Sequence, residues 1–175
     1  MTGTYGLGAS HVAANVERMQ LVTFRVGEEL FAADVMSVER VLRYTAPRPI
    51  PNVPAWLEGV IDYRGRVVPV IDMRARFELG AATGRESARI LVVAAGDDWI
   101  GAIVDGVEEV RSVPVDRLSP PPAFFKGLAK SYLRAIVRPE SEDGAVIVVL
   151  DAAQLLTARE RIVLGQAVAD ASANG

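Results

Sequence analysis

The feature that most limits how this chain can fold is the way its valines are spaced. Valine supplies 25 of the 175 residues, and from Met19 onward these sit in short Val/Ile/Leu segments cut by glycine and acidic turns. β-Branched side chains lose rotamer freedom in a helix and pack well on a pleated surface, so the pattern predicts many short strands. Gln20 to Val26 and Leu30 to Ala33 flank Gly27-Glu28-Glu29 as a hairpin, with Phe24 and Val26 alternating with Thr23 and Arg25 so that one face is buried. Ser37 to Tyr44 reads equally as a helical turn or a strand. Pro47, Pro49, Pro51 and Pro54 lack amide donors and fix their own φ, which makes that stretch a rigid connection.

Val60-Ile61 and Val67-Val68 enclose Tyr63-Arg64-Gly65-Arg66, a tight turn in which Gly65 takes the positive φ, with Pro69 at an edge or bulge position of the returning strand. Arg89 to Ala95 and Trp99 to Val104 are joined by Gly96-Asp97-Asp98, and Asp105-Gly106 reads as a bulge in one long strand continuing to Val113. Leu118 to Phe125 is expected as loop, and Tyr132 to Arg138 pairs with Ala145 to Leu150 as a last hairpin. Asp151 followed by Gln154 resembles a capping box that starts a C-terminal amphipathic helix carrying Leu155, Leu156, Ile162, Val163 and Val168, which Gly165 can interrupt, with 170–175 frayed. About nine short strands with one or two helices call for closed barrels or a sandwich rather than a parallel α/β sheet.

Composition narrows the chemistry. There are no cysteines and one histidine, His11, which removes thiolate nucleophiles, cysteine-ligated metal and His-based triads. A net charge of -3 gives no reason to expect a nucleic-acid partner. The first residues have no basic stretch leading into an apolar core, and the apolar runs Ile90 to Ala95 and Ala145 to Leu150 are far shorter than the roughly 20 residues a membrane span needs. The expected location is therefore the cytoplasm, with no membrane insertion.

No phosphate-binding loop or dinucleotide fingerprint is present. Asp62, Asp72 and Asp105 are the nearest acid/base candidates, and a convergent pair such as Asp62 with Asp105 would suit a carboxylate-dependent hydrolase. Beside turns, aspartates more often accept local backbone hydrogen bonds. Arg64 at the hairpin apex offers a planar charged fork to a partner's carboxylates or amide oxygens, against the plainer reading of a solvated turn arginine among 17 arginines. Val38 and Val107 read as core, while Trp56 and Trp99 stand between core and interface anchor.

Read together, QLVTFRVGEELFAADVMSVERVL, GVIDYRGRVVPVIDMR, WIGAIVDGVEEVRSV with RLSPPP, and AVIVVLDAAQLL resemble the CheW family of chemotaxis coupling proteins over roughly Gln20 to Leu156. The resemblance implies a mainly β fold of two intertwined five-stranded SH3-like β-barrels with short helices and a C-terminal helix. It divides the chain into a leader (1–18), the barrel pair (19–158), and the helix end and tail (159–175). It implies a non-enzymatic adaptor without cofactor or metal. Such an adaptor bridges a methyl-accepting chemoreceptor's cytoplasmic tip and the regulatory domain of a CheA-type histidine kinase, recruited to membrane-associated receptor arrays.

The family's receptor-coupling arginine falls on Arg64, and the groove around it on Val38, Gly59, Gly101 and Val107, with Asp62, Gly65, Arg40 and Ala135 as supporting positions. No residue is assigned to the kinase surface. Asp62-Tyr63-Arg64-Gly65 replaces the family's common Asn-Leu-Arg-Gly, Arg40 stands where some members are acidic, and Ala135 stands where glycine can occur. These departures leave room for a non-flagellar chemosensory pathway, such as surface sensing, gliding or twitching, or development.

Overall fold

The computed structural model describes residues 15–80, 84–122 and 131–173. Most of the leader expected over 1–18, with His11, lies outside them, as do the end of the Leu118 to Phe125 loop, Lys126, Lys130 and the last two residues of the tail. The strands are β1 (Arg18–Val26), β2 (Glu29–Asp34), β3 (Val38–Arg43), β4 (Leu57–Tyr63), β5 (Arg66–Asp72), β6 (Arg89–Ala95), β7 (Asp98–Val104), β8 (Gly106–Pro114), β9 (Leu118–Ser119), β10 (Leu133–Val137) and β11 (Ile147–Leu150). Helices lying wholly within the described residues include α1 (Met73–Arg76) after β5 and α2 (Ala158–Ala173) near the end.

Two sheets hold these strands, in the orders β8-β1-β2-β11-β10-β9 and β3-β6-β7-β5-β4. The chain leaves the first sheet after β2, builds the whole second sheet, and returns with β8, so the second sheet is inserted as one block in the sequence of the first. One parallel pair in each, β2 with β11 and β5 with β7, records where a later strand slots beside an earlier one. The expected mainly β architecture is present, with six strands in one sheet and five in the other.

Both faces of the central strands are covered, and that departs from simple alternation. Phe24, Phe31, Leu91, Ile100 and Leu150 meet in a core shared by both sheets, while Leu21, Leu30, Val113, Val137 and Val149 fill a separate core belonging to the first. Thr23, expected on the outer face, is fully buried on that second side. Its hydroxyl donates to the Glu109 carbonyl at 2.9 Å and accepts from the Glu109 amide at 3.2 Å, where the β1–β8 register shifts. A side chain that replaces a missing ladder bond can be buried without penalty.

Several local expectations are corrected. The segment after β2 is a 3-10 turn at Val35–Ser37 followed by strand β3, so the helix-or-strand alternative resolves into both. Asp105 is not a bulge within one strand but the corner at which the chain passes from β7 in the second sheet to β8 in the first. Pro69 does not lie on an edge: β5 is internal, the bulge falls opposite on β4, and the parallel ladder to β7 begins only at Val70, so the absent amide is not needed. Leu118–Ser119 is a strand, and not loop.

At the C-terminus, Asp151 caps a separate 3-10 turn over Ala152–Gln154, and Leu155 and Leu156 are buried in the link before the helix. α2 starts later, in a reciprocal cap in which the Glu160 amide donates to the Thr157 hydroxyl at 3.1 Å and the Thr157 amide to Glu160 at 2.9 Å. Only Leu164 of α2 is buried, Ile162 and Val163 are exposed at 65% and 53%, and Gly165 lies inside an unbroken helix. The apolar stripe assigned to one helix thus belongs to two elements.

Candidate functional site

The β4–β5 hairpin carries the residues of interest. Its two turn residues, Arg64 and Gly65, have φ of 51° and 74°, the paired positive φ of a two-residue turn whose twist matches its strands. The Asp62 carboxylate accepts from the Gly65 amide at 3.1 Å, which pins the turn. Glycine takes such a φ freely, whereas an arginine there is strained by roughly 1 kcal/mol, so local backbone preference does not explain Arg64.

The Arg64 side chain is 58% exposed, donates to Glu39 at 3.0 Å and stands 5.3 Å from the Tyr63 ring centroid. Tyr63 is buried against Trp99 in an edge-to-face contact of 5.2 Å, and the Arg66 guanidinium stands 4.7 Å from the Trp99 ring centroid. Glu39 lies on β3 and Arg64 at the end of β4, the two outermost strands of the second sheet, so their ion pair records how far that sheet curls. Arg48, in the proline-rich connection, adds an antiparallel bridge to Val60 on the open side of β4.

The other sequence-assigned positions divide by environment. Gly65 and Asp62 belong to the turn itself, and Arg40 is exposed on β3, next to Glu39. Val38 and Val107 are half-buried against the shared core, Val38 from the second sheet and Val107 from the first. Gly59 and Gly101 are buried for steric reasons. A Cβ on Gly59 would stand 2.2 Å from the Arg48 carbonyl oxygen at a φ of 151°, and one on Gly101 would stand 3.0 and 3.1 Å from methyls of Ile90 and Val70. Ala135 sits in the core of the first sheet, paired with Val149 and away from the Arg64 strand pair. Trp56 packs against the shared core under Arg76, and Trp99 forms the wall beside Arg66.

The acid/base candidates are all engaged in holding the fold. Asp72 caps α1 by accepting from the Arg74 amide at 3.0 Å and also meets Arg85 at 3.3 Å. Asp105 accepts from the Gly27 amide at 2.6 Å and from Arg74 Nε at 2.9 Å on both oxygens. Among the described residues, no group of three or more His, Asp or Glu could hold a metal, and no helix is long and apolar enough to cross a membrane.

Sequence reading passed over two residues. Glu39, the residue before Arg40, carries no assignment in the sequence, yet it supplies the carboxylate that Arg64 holds. Arg76 was not singled out at all, and its side chain is only 3% exposed. It bonds Glu160 and the Leu155 carbonyl, and its guanidinium sits 4.3 Å over the Trp56 ring. Nothing in the one-dimensional pattern marks it, since α1 is a single turn.

The sequence profile of the CheW-like domain matches residues 20–160. The chain belongs to the CheW-like family. It is 32% identical over 153 residues to the "Chemotaxis protein CheW" of Treponema pallidum, a match covering 85% of this chain and 88% of that one. It is 31% identical to "Protein FrzA" of Myxococcus xanthus, over 80% of this chain and 86% of that one. Among solved structures, the scaffolding protein TtCheW of Thermoanaerobacter tengcongensis superposes with a TM-score of 0.74 at 28% identity, covering 82% of this chain and 97% of that one. The match ends within the first turn of α2, so nearly all of that helix lies beyond the CheW-like segment.

Proposed function

We propose that this CheW-like chain is a cytoplasmic, non-enzymatic adaptor that couples chemoreceptor signalling tips to the regulatory domain of a CheA-type histidine kinase within membrane-associated arrays. In this reading residues 19–158 are the coupling body, 1–18 a leader, and 159–175 the helix end and tail. The receptor surface centres on Arg64, bordered by Val38 and Val107 and shaped by Gly59 and Gly101, with Asp62 and Gly65 holding the turn. Arg40 flanks that surface through its neighbour Glu39, and Ala135 contributes only through the packing of the first sheet.

The observation that carries the reading is the Arg64 geometry. A permanently charged fork is held out on a strained turn, over an aromatic ring, by one exposed carboxylate that a partner's carboxylate or carbonyl can replace. Mechanistically, an adaptor that touches both receptor and kinase adds a second bridge between them, so weak contacts reinforce each other through effective concentration. A second reading, a non-flagellar chemosensory pathway, draws on the similarity to "Protein FrzA" and to "Protein PilI" of Pseudomonas aeruginosa, 33% identical over 65% of this chain.

Titration calorimetry of wild type, Arg64→Ala and Arg64→Lys against a receptor tip and a kinase regulatory domain tests the proposal. Arg64→Ala is expected to weaken the receptor complex by about 2 kcal/mol, roughly thirtyfold, and to spare the kinase complex, with partial rescue by lysine. Unchanged receptor affinity would remove Arg64 from the interface.

A further inference from the structure

We propose that the cleft between α2 and the second sheet is a binding site for a small monocarboxylate with an apolar body, such as a medium-chain fatty acid. The cleft has a volume of about 280 Å³, just below the range of ordinary small-molecule pockets. Its walls are apolar: Val68 and Pro69 from β5, Trp99 and Ile100 from β7, and Leu164 and Val168 from α2. Two guanidinium groups, Arg66 and Arg161, stand in its lining against one carboxylate, Asp98.

Arg66 meets Asp98 at 3.4 Å, while Arg161 forms no ion pair or side-chain hydrogen bond among the described residues. The rim therefore carries a net positive charge over an apolar floor, the complement of an amphipathic anion. A cation would find its only counter-charge already in use. The chain's own residues 1–14 contain no aspartate or glutamate, so they offer no side-chain carboxylate to this rim.

A second observation points the same way. Gly165 lines the cleft from inside α2, where glycine is less favourable than alanine. It has no positive φ, and a Cβ built on it would meet nothing within 4 Å, so neither backbone conformation nor close packing calls for glycine. What the absent side chain does is leave the cleft open. A glycine that weakens its helix, beside a guanidinium with no ion pair among the described residues, fits a site shaped for a guest.

The carboxylate is placed between Arg66 and Arg161, and the tail lies across Trp99 toward Leu164. Occupancy joins α2 to β5 and so stabilises the docked helix. Arg66 follows Arg64 by two residues on the same hairpin, so the site reports to the turn that carries the candidate receptor contact.

The test is a titration of the full-length, ¹⁵N-labelled chain with octanoate, octan-1-ol and octylamine, read from amide shifts of Gly165 and Ala169 and the Trp99 indole, with a thermal melt of each mixture. Octanoate is expected to shift these signals saturably and raise the melting temperature, with octanol roughly tenfold weaker and octylamine without effect. Arg161→Met should bring octanoate down to the affinity of octanol. Gly165→Leu should abolish binding while raising the melting temperature of the free protein, a combination that simple misfolding does not produce. Equal affinity for octanoate and octanol, no saturable shift at Gly165, or full octanoate binding in Gly165→Leu each overturns the proposal.

Discussion

Arg76 grips Glu160 with two parallel hydrogen bonds, Nη1 to Oε1 at 3.0 Å and Nη2 to Oε2 at 2.8 Å. The pair ties the single turn after β5 to the first turn of α2, and little else holds that helix, since Leu164 is its one buried side chain. Arginine is nearly enclosed here, with Trp56 and Tyr132 against its guanidinium and its Nε buried without a partner.

Removing the carboxylate leaves that charge buried and uncompensated, which costs more than the pair contributes. Glu160→Ala is expected to destabilise the fold by about 3 kcal/mol in urea unfolding, and the double variant Arg76→Met with Glu160→Met to recover part of the loss. Equal loss in the single and double variants would show that the pair acts only through packing.

The same contact sets a pH dependence. Burial pushes the Glu160 carboxyl up, but the Arg76 hydrogen bonds and those from Thr157 outweigh it and hold the group below its ordinary value of 4.5. A depressed carboxylate pKa means that the folded state binds fewer protons than the unfolded one at mildly acid pH. The stabilisation is therefore complete above pH 4.5 and is lost as pH falls through the lowered folded value. Thermal melts from pH 7 downward should show a decline setting in below that point, and Glu160→Gln should remove Glu160's share of the slope.

Gly59 and Gly101 are expected to separate by stability. Gly59→Ala drives a Cβ into the Arg48 backbone carbonyl at a φ that an L-residue resists, and should cost about 3 kcal/mol or more. Gly101→Ala crowds the methyls of Ile90 and Val70, which can give way, and meets the Pro69 carbonyl at an ordinary 3.6 Å, so it should cost about 1 to 2 kcal/mol. Calorimetric melts of the two variants decide this, and similar losses would contradict the geometry.

Arg64 is expected to behave oppositely to a structural residue. Arg64→Asn relieves the strained φ and gives up only an exposed ion pair and a ring contact at the surface, so stability should rise by about 0.5 kcal/mol. Chemical denaturation measures it, and a fall of more than 1 kcal/mol would make Arg64 part of the fold.

Short-range chemistry was legible because it depends on neighbours in the chain. The Gly27 and Gly65 turns, the Pro47 to Pro54 connection and the β10–β11 hairpin follow from which residues tolerate positive φ, lack an amide or branch at Cβ. Arg64 stood out for the same reason, as a fork at a turn apex. The family resemblance added the pairing of sheets that no periodicity contains.

What tertiary structure decided involves residues far apart in sequence. Whether Thr23 is buried depends on Glu109 opposite it, and whether Asp105 is a bulge or a corner depends on which sheet each side of it joins. Glu39 and Arg64 meet only because the sheet curls, and Arg76 finds its carboxylate only because α2 brings Glu160 back to it from 84 residues away. The sequence alone determined where the chain can turn, which segments extend and which chemistries its residues lack. Curl, crossing and helix docking were left to the folded state, because they arise from matching surfaces that exist only once the strands have paired.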